Sequence, residues 1–271
     1  MLAPLLDRLK RQPQRTWSIV ITIFGDAVLP RGGCIWLGTL LEIFAAMDIP
    51  AGAVRTAMSR LTADGWIERS RVGRNSFYRL AAKGHDTFAA AADRIYGAPP
   101  EWDGQFRLVL SPKNRPALEE AGYGPAAPGL WVAPGPLPPP AEPLAMLATL
   151  DPAAAQRLTA LAWPLDRIAN AYARFNTAFA PLRNGPGEPT ELDALIARTL
   201  LVHEYRRIVL HARLPLAILP QPWPGAEARA LCAAAYAALL PASEAWLDAH
   251  AQSETGPLPP PDPTLWSRFS V

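Results

Sequence analysis

Apolar residues recur at helical spacing in two stretches near the start of the chain, first Trp17, Val20, Ile21 and Phe24, then Leu37, Leu40, Leu41 and Phe44. Each set makes one apolar stripe along a helix. Between them the run GDAVLPRGG, from Gly25 to Gly33, reads as a loop because glycine and proline punctuate it. A third helix begins near Pro50, after Asp48, and buries Val54, Ala57, Met58 and Leu61. Its opposite face carries Arg55, Thr56, Ser59 and Arg60, and the short turn Met47–Ile49 joins it to the helix before, as in a helix-turn-helix. The segment from Trp66 to Leu80 reads as strand, tight turn, strand, with Gly73 between Arg71 and Arg74 and the β-forming run Ser76-Phe77-Tyr78 after it. A basic hairpin directly after such a helix is a wing, and a fourth helix over 82–97 closes the unit.

The middle of the chain changes character. Phe106–Leu110 has the composition of a buried strand, Arg115–Ala121 of a short helix and Leu130–Val132 of a second strand, with Met146–Leu150 a further strand; together they predict a small α+β unit. From about 159 the period is helical again. Leu165, Ile168, Ala169, Tyr172 and Phe179 make one stripe that Pro181 ends, Thr190 opens a helix to about Leu210, and an Ala-rich helix runs from about Ala226 to Leu240. Pro-rich stretches at 98–100, 134–143, 186–189 and 257–263 are loops or linkers, since proline fixes φ and removes a donor. The last leaves a tail that Trp266 and Phe269 are placed to pin. The fold class is therefore α+β and multidomain, with an N-terminal winged helix-turn-helix over 1–97, a small central α+β domain over 98–158 and a helical C-terminal domain over 159–271.

A net charge of +2 identifies no partner, but its distribution is uneven. Residues 1–97 hold 13 Lys and Arg against 8 Asp and Glu, whereas the remainder holds 13 against 16. Most of the excess falls between Arg55 and Lys83, the footprint of a phosphate-binding face. Cys34 and Cys232 match no metal or redox spacing and suit a reducing, cytoplasmic setting. The apolar run Trp17–Phe24 is interrupted by Ser18 and Thr22 and lacks a cleavage site, so it does not read as a signal peptide. No run approaches the roughly 18 uninterrupted apolar residues of a membrane span.

A helix entering the major groove needs short polar or forked side chains toward base edges and cations toward phosphates. Arg55, Thr56 and Ser59 are assigned to bases, Arg60 and the wing arginines Arg69, Arg71 and Arg74 to phosphates, and Asn75 joins them on the wing as a DNA-binding candidate. A second candidate site lies in HEYRR, His203–Arg207. A zinc-protease helix would need a second histidine where Arg207 stands, and His211 lies about 12 Å from His203 along the axis, so shared metal ligation is not expected. Helical winding places His203, Arg206 and Arg207 on one broad face with Leu192, Leu195, Ile196 and Leu210. Inward arginines require carboxylates, such as Asp166, Glu204 or Glu227, a bend that returns them to solvent, or an anionic ligand, for which phosphate suits the guanidinium fork. Trp131, Trp163, Tyr172, Phe175 and Trp223 would supply core or pocket walls. The chain holds no phosphate-binding glycine loop, dinucleotide fingerprint or nucleophile elbow, so no enzyme chemistry, metal or cofactor is indicated.

With these residues assembled, the chain resembles the PaaX family of phenylacetate-catabolism repressors. The likeness is carried by GDAVLPRGGCIWLGTL from Gly25, VRTAMSRLTADGWIERSRVGRNSFYRL from Val54, WPLDRIANAYARF from Trp163, HEYRR at His203–Arg207, Leu214-Pro215, Leu219-Pro220 and Trp223-Pro224-Gly225. The resemblance implies a winged helix like that of GntR regulators, a ferredoxin-like central domain similar to Cas2, and a helical C-terminal domain. It implies a homodimer that binds operator DNA, represses aromatic-catabolic genes and is released by phenylacetyl-coenzyme A or a related acyl-coenzyme A. His203, Arg206, Arg207 and Trp223 are the candidate effector contacts, and no membrane is involved. Two other classes compete: a metal-dependent nuclease built on a Cas2-like centre, with Asp103 as its acid, and an adaptor whose winged helix docks protein.

Overall fold

The computed structural model describes residues 2–11, 14–135, 144–183, 187, 189–211 and 214–269. Most of the Pro-rich stretch 134–143, parts of 186–189, and Ala212 and Arg213 lie outside them. The chain opens with helix α1 (Leu2–Arg11) and helix α2 (Thr16–Ile23). The loop expected over 25–33 is largely helical instead. A π-helical turn over Phe24–Val28 continues α2 and a 3₁₀ turn over Leu29–Arg31 follows. Asp26 and Arg31 are buried there at 2% and 1% exposure, and their tertiary ion pairs outweigh the weak helix propensity of Gly25. A Cβ at Gly25 would stand 2.8 Å from Phe88 Cδ1, so the glycine serves close packing. The helical path ends at Gly32 and Gly33, both at positive φ.

Strand β1 (Cys34–Trp36), helix α3 (Leu37–Ala45), helix α4 (Ala51–Ala63), strands β2 (Ile67–Val72) and β3 (Asn75–Leu80), and helix α5 (Ala82–Tyr96) follow. In α4 the four residues expected to be buried, Val54, Ala57, Met58 and Leu61, are buried. The antiparallel sheet has order β1-β3-β2, and β1 is a strand that three residues of sequence did not announce. Val72 pairs with Asn75, leaving the two-residue turn Gly73-Arg74, in which Gly73 takes a φ of 59° that a hairpin of this length demands.

The central strands are β4 (Gln105–Leu110), β5 (Gly124–Ala127), β6 (Leu130–Pro134) and β7 (Ala145–Thr149), with helix α6 (Arg115–Glu120) between β4 and β5. They form one antiparallel sheet of order β5-β6-β4-β7. Val109, Leu118, Tyr123, Trp131 and Ala133 form its core. Helix α7 (Pro152–Ala162) starts earlier than the helical onset expected near 159. Its start signal is Asp151, whose carboxylate accepts from the amides of Ala153 and Ala154, followed by Pro152.

Helix α8 (Leu165–Phe179) and helix α9 (Glu191–Val209) follow, the latter capped by Thr190, whose Oγ1 accepts from Asp193 N at 3.2 Å. Helix α10 (Pro224–His250) runs through Pro241 and past the end expected at Leu240. It is long and apolar enough to cross a membrane by length and composition, and over half of its most apolar window is buried within the protein. The tail carries a short hairpin, β8 (Gln252–Ser253) with β9 (Gly256–Pro257), and a 3₁₀ turn over Pro263–Ser267. Phe269 is buried against the rings of Tyr96, Tyr205 and Tyr236, whereas Trp266 is half exposed.

By contact the chain divides into two compact units. The first comprises Met1–Gly97, Thr177–Arg207 and Ala230–Val271; the second comprises Ala98–Asn176 and Ile208–Arg229. The consecutive segments 98–158 and 159–271 do not coincide with this grouping, because α9 and α10 each contribute residues to both units.

Candidate nucleic-acid interface

Within the first unit, Arg55, Thr56, Ser59 and Arg60 of α4 and Arg69, Arg71, Arg74 and Asn75 of the β2–β3 hairpin are all exposed. Their contacts are local, Arg60 Nε lying 3.7 Å from Asp64 Oδ2 one turn on, and all eight side chains stay at the surface. Thr56 Oγ1 donates to the Gly52 carbonyl one turn back, Arg69 donates to Ser76 Oγ at 2.8 Å, and Arg60 lies over the Trp17 ring at 5.9 Å from its centroid. Cross-strand pairs share a face, so Arg69 and Arg71 stand on the face that buries Ile67, Tyr78 and Leu80 nearer the helices. The opposite face is held from the tail: the Glu254 carboxylate accepts from Ser70 Oγ and from the Arg79 guanidinium. A carboxylate at the β8–β9 turn thus fixes the base of the hairpin and leaves its basic residues outward.

The same unit holds a buried charge network that joins five segments far apart in sequence. The Asp26 carboxylate accepts from Tyr96 Oη at 2.6 Å, Tyr236 Oη at 3.0 Å and Arg268 Nη1 at 2.8 Å, and it pairs with Arg198 Nε at 2.8 Å. Burial alone would favour its neutral acid, but Arg198 and Arg268 outweigh that penalty and hold the Asp26 pKa below the usual carboxylate value. Arg198, fully buried, also donates to Ser243 Oγ and to the Glu244 carboxylate. Glu244 in turn accepts from Arg31, which donates further to Asp248 and to the Pro259 carbonyl.

Arg206 is satisfied differently from the sequence expectation. It makes no ion pair with Asp166, Glu204 or Glu227 and does not bend into solvent. Its Nη2 donates to the Ser18 carbonyl at 2.8 Å and to Ser18 Oγ at 2.9 Å, and its Nε donates to Thr22 Oγ1 at 2.7 Å. These partners are neutral, and burial with no carboxylate beside it lowers the Arg206 pKa to about 10, so the group stays charged at neutral pH. His203 is fully buried, with Nδ1 2.9 Å from Thr22 Oγ1 and no hydrogen-bond partner for Nε2 among the described residues. Burial, with Arg206 and Arg207 beside it, pushes its pKa down to about 3 and keeps the ring neutral. Arg207 is exposed rather than inward, and donates to Gln14 Oε1 at 2.5 Å. Trp223 falls in the second unit, edge-on to Tyr172. A Cβ at Gly225 would come within 2.5 Å of its Nε1, which accounts for the glycine of the Trp-Pro-Gly run. The structure thus brings His203, Arg206 and Arg207 together and places Trp223, with Trp131, Trp163, Tyr172 and Phe175, among the buried residues of the second unit.

Comparison with known proteins supplies the family. Residues 15–84 match the model of the PaaX-like protein family, and residues 163–249 match that of the PaaX-like protein C-terminal domain. The transcriptional repressor PaaX of Escherichia coli (strain K12) is 32% identical over 287 aligned residues, covering 93% of this chain and 89% of the relative. The chain belongs to the PaaX family. Among solved structures, an uncharacterised protein of Mycobacterium tuberculosis, Rv0674, superposes with a TM-score of 0.49 at 19% identity, over 76% of this chain and 88% of the other.

The two segments matched by the PaaX models contain both sides of the buried network: Asp26 and Arg31 in the first, Arg198, Tyr236 and Glu244 in the second. Sequence reading overlooked all five. Arg198 carried a usable signal, since it stands in ALIARTLLV with apolar residues on either side and on every face of the helix. It is the fully buried arginine of α9, Arg206 is partly buried, and Arg207 is exposed. Asp26 and Arg31 carried none, because each sits beside glycine or proline in a run that looks like loop.

Proposed function

We propose that this PaaX-family chain is a dimeric transcription repressor that binds operator DNA through α4 and the β2–β3 hairpin and is released by an acyl-coenzyme A, phenylacetyl-coenzyme A or a close analogue. The observation that carries the reading is the exposed polar and basic surface of α4 and the hairpin, lying inside the segment matched by the PaaX-like family. In this reading 1–97 is a winged helix-turn-helix, the sheet β5-β6-β4-β7 is the core of a ferredoxin-like domain, and the helices after 159 serve effector binding and dimerisation. Arg55, Thr56 and Ser59 face bases. Arg60, Arg69, Arg71, Arg74 and Asn75 hold the backbone. As a family repressor the chain is a cytoplasmic regulator and not an enzyme. Asp103, the acid of the nuclease alternative, uses its carboxylate to accept from Gln105 N at the turn into β4, and nothing in the comparisons favours that alternative.

Of the four residues assigned to the effector, Arg206 and Arg207 are suited to phosphate, while His203 holds Thr22 in place and Trp223 packs on Tyr172. A phosphate offers Arg206 a charged acceptor, and so an ion pair that the neutral oxygens of Ser18 and Thr22 do not supply. Turning to it, the guanidinium would release Ser18 and Thr22 of α2, the helix that packs on α4 and carries the Trp17 ring beneath Arg60. This links effector and DNA through one element. The test is titration of the DNA complex with a panel of coenzyme A thioesters and the corresponding free acids. Thioesters should release the DNA and free acids should not; equal release by both would remove phosphate from the recognition.

A further inference from the structure

Resting on the repressor reading, we infer that Arg11 and Arg15, at the junction of α1 and α2, form a second phosphate-binding rail beside α4 that lengthens the DNA footprint without reading bases. Two contacts pin this part of the chain against α4. At one end Lys10 Nζ is 2.8 Å from Asp48 Oδ2, in the turn that leads into α4. At the other, Arg60 in the last turn of α4 lies over the Trp17 ring at 5.9 Å.

The position matters because of which flank of α4 is occupied. At about 100° per residue, Thr56 and Ser59 point away from the buried stripe, with Arg55 on one flank and Arg60 on the other. Trp17 covers the Arg60 flank. A helix lying in the major groove has one phosphate backbone along each side, and cations on its flanks are what hold it. Arg11 and Arg15 are both exposed on the chain that follows this flank. The run from Arg8 to Arg15 contains four cations and no acid. Three acids border this run: Asp48 is paired with Lys10, Asp64 lies 3.7 Å from Arg60 Nε, and Asp7, one turn before Arg11 on α1, acts on Lys10 as well, which leaves the cations in excess. Unlike the α4 arginines, these two have no route to a base edge from α4 itself, so their contribution is uniform over sequence.

The test uses the full chain, a duplex enriched from random-sequence DNA by the parent protein, and a scrambled duplex of equal length. Affinity is measured across a salt series for the parent, for Arg11→Ala with Arg15→Ala, for Arg11→Lys with Arg15→Lys, and for Arg157→Ala, an exposed cation of α7. The alanine pair should weaken binding to both duplexes by the same factor and reduce the slope of log affinity against log salt by about 1.8, close to 0.9 per phosphate contact. The lysine pair should keep the slope, and Arg157→Ala should leave it unchanged. An unchanged slope in the alanine pair, or an equal loss with Arg157→Ala, overturns the rail. A parent that enriches no duplex overturns the repressor reading itself, which keeps the two failures apart.

Discussion

Arg206 Nη2 donates to both the carbonyl and the hydroxyl of Ser18, so a charged guanidinium on α9 is held against α2 by neutral acceptors. Three hydrogen bonds hold the side chain, yet among the described residues no carboxylate pairs with its charge. That combination suits a group that exchanges partners.

Replacing Arg206 with methionine keeps the apolar stem and removes the charge. The Arg206→Met variant should bind operator DNA within a few-fold of the parent and should need at least tenfold more thioester for release. Fluorescence anisotropy of labelled DNA titrated with effector reads both quantities. An unaltered release curve would place the effector elsewhere.

The Asp26 carboxylate compensates Arg198 and Arg268 together, and both arginines are largely buried. Asp26→Asn preserves shape while leaving that positive charge under-compensated. The expected loss is about 3–5 kcal/mol, the usual cost of breaking a buried pair from one side. Urea unfolding followed by circular dichroism measures it, and a change below about 1 kcal/mol would mean that the network relaxes around asparagine.

His203 predicts a pH dependence whose sign follows from its depressed pKa. In the unfolded chain the ring takes a proton near 6.5, whereas in the fold it does so only near 3. Between these values the unfolded state binds more protons, so stability rises with pH and is lost as pH falls through 6.5. From pH 7 to pH 5 the loss is about 2 kcal/mol. Thermal melts of the parent and of His203→Gln across that range should show a shallower dependence in the variant; parallel curves would show that the ring is protonated in the fold.

On the DNA-facing surface the residue classes should separate. Arg55→Ala should cost about 1–3 kcal/mol on the selected duplex and relax sequence preference. Arg71→Ala should weaken all duplexes alike and lower the salt slope by about 1. Selection from random DNA with each variant distinguishes them: an Arg55→Ala protein that enriches the parental sequence with undiminished preference contradicts base contact.

Much of the N-terminal region was legible because its signals are local. Val54, Ala57, Met58 and Leu61 repeat at the helical period within one window, and Gly73 marks a turn between two β-forming runs. Helix α7 was equally local, and the Asp151-Pro152 start was available but passed over. Arg207 shows where periodicity misleads. Winding assigns a direction to a side chain, but the element covering that direction decides whether it is buried, and near the end of α9 Arg207 stays exposed, bonded to Gln14 and Glu204.

The amino-acid order by itself determined the local elements, their apolar stripes and the basic bias of α4 and the hairpin, since each depends on residues within a few turns or strand positions. Tertiary structure alone decided which charges became interior. Asp26 and Arg198 are 172 positions apart, and neither is hydrophobic, so no window holds both. Their pairing exists because folding brings two desolvated ions within hydrogen-bonding distance, where each removes the cost of burying the other. The same assembly set Arg206 on Ser18 and Thr22, a contact across 184 residues or more that no spacing rule could register.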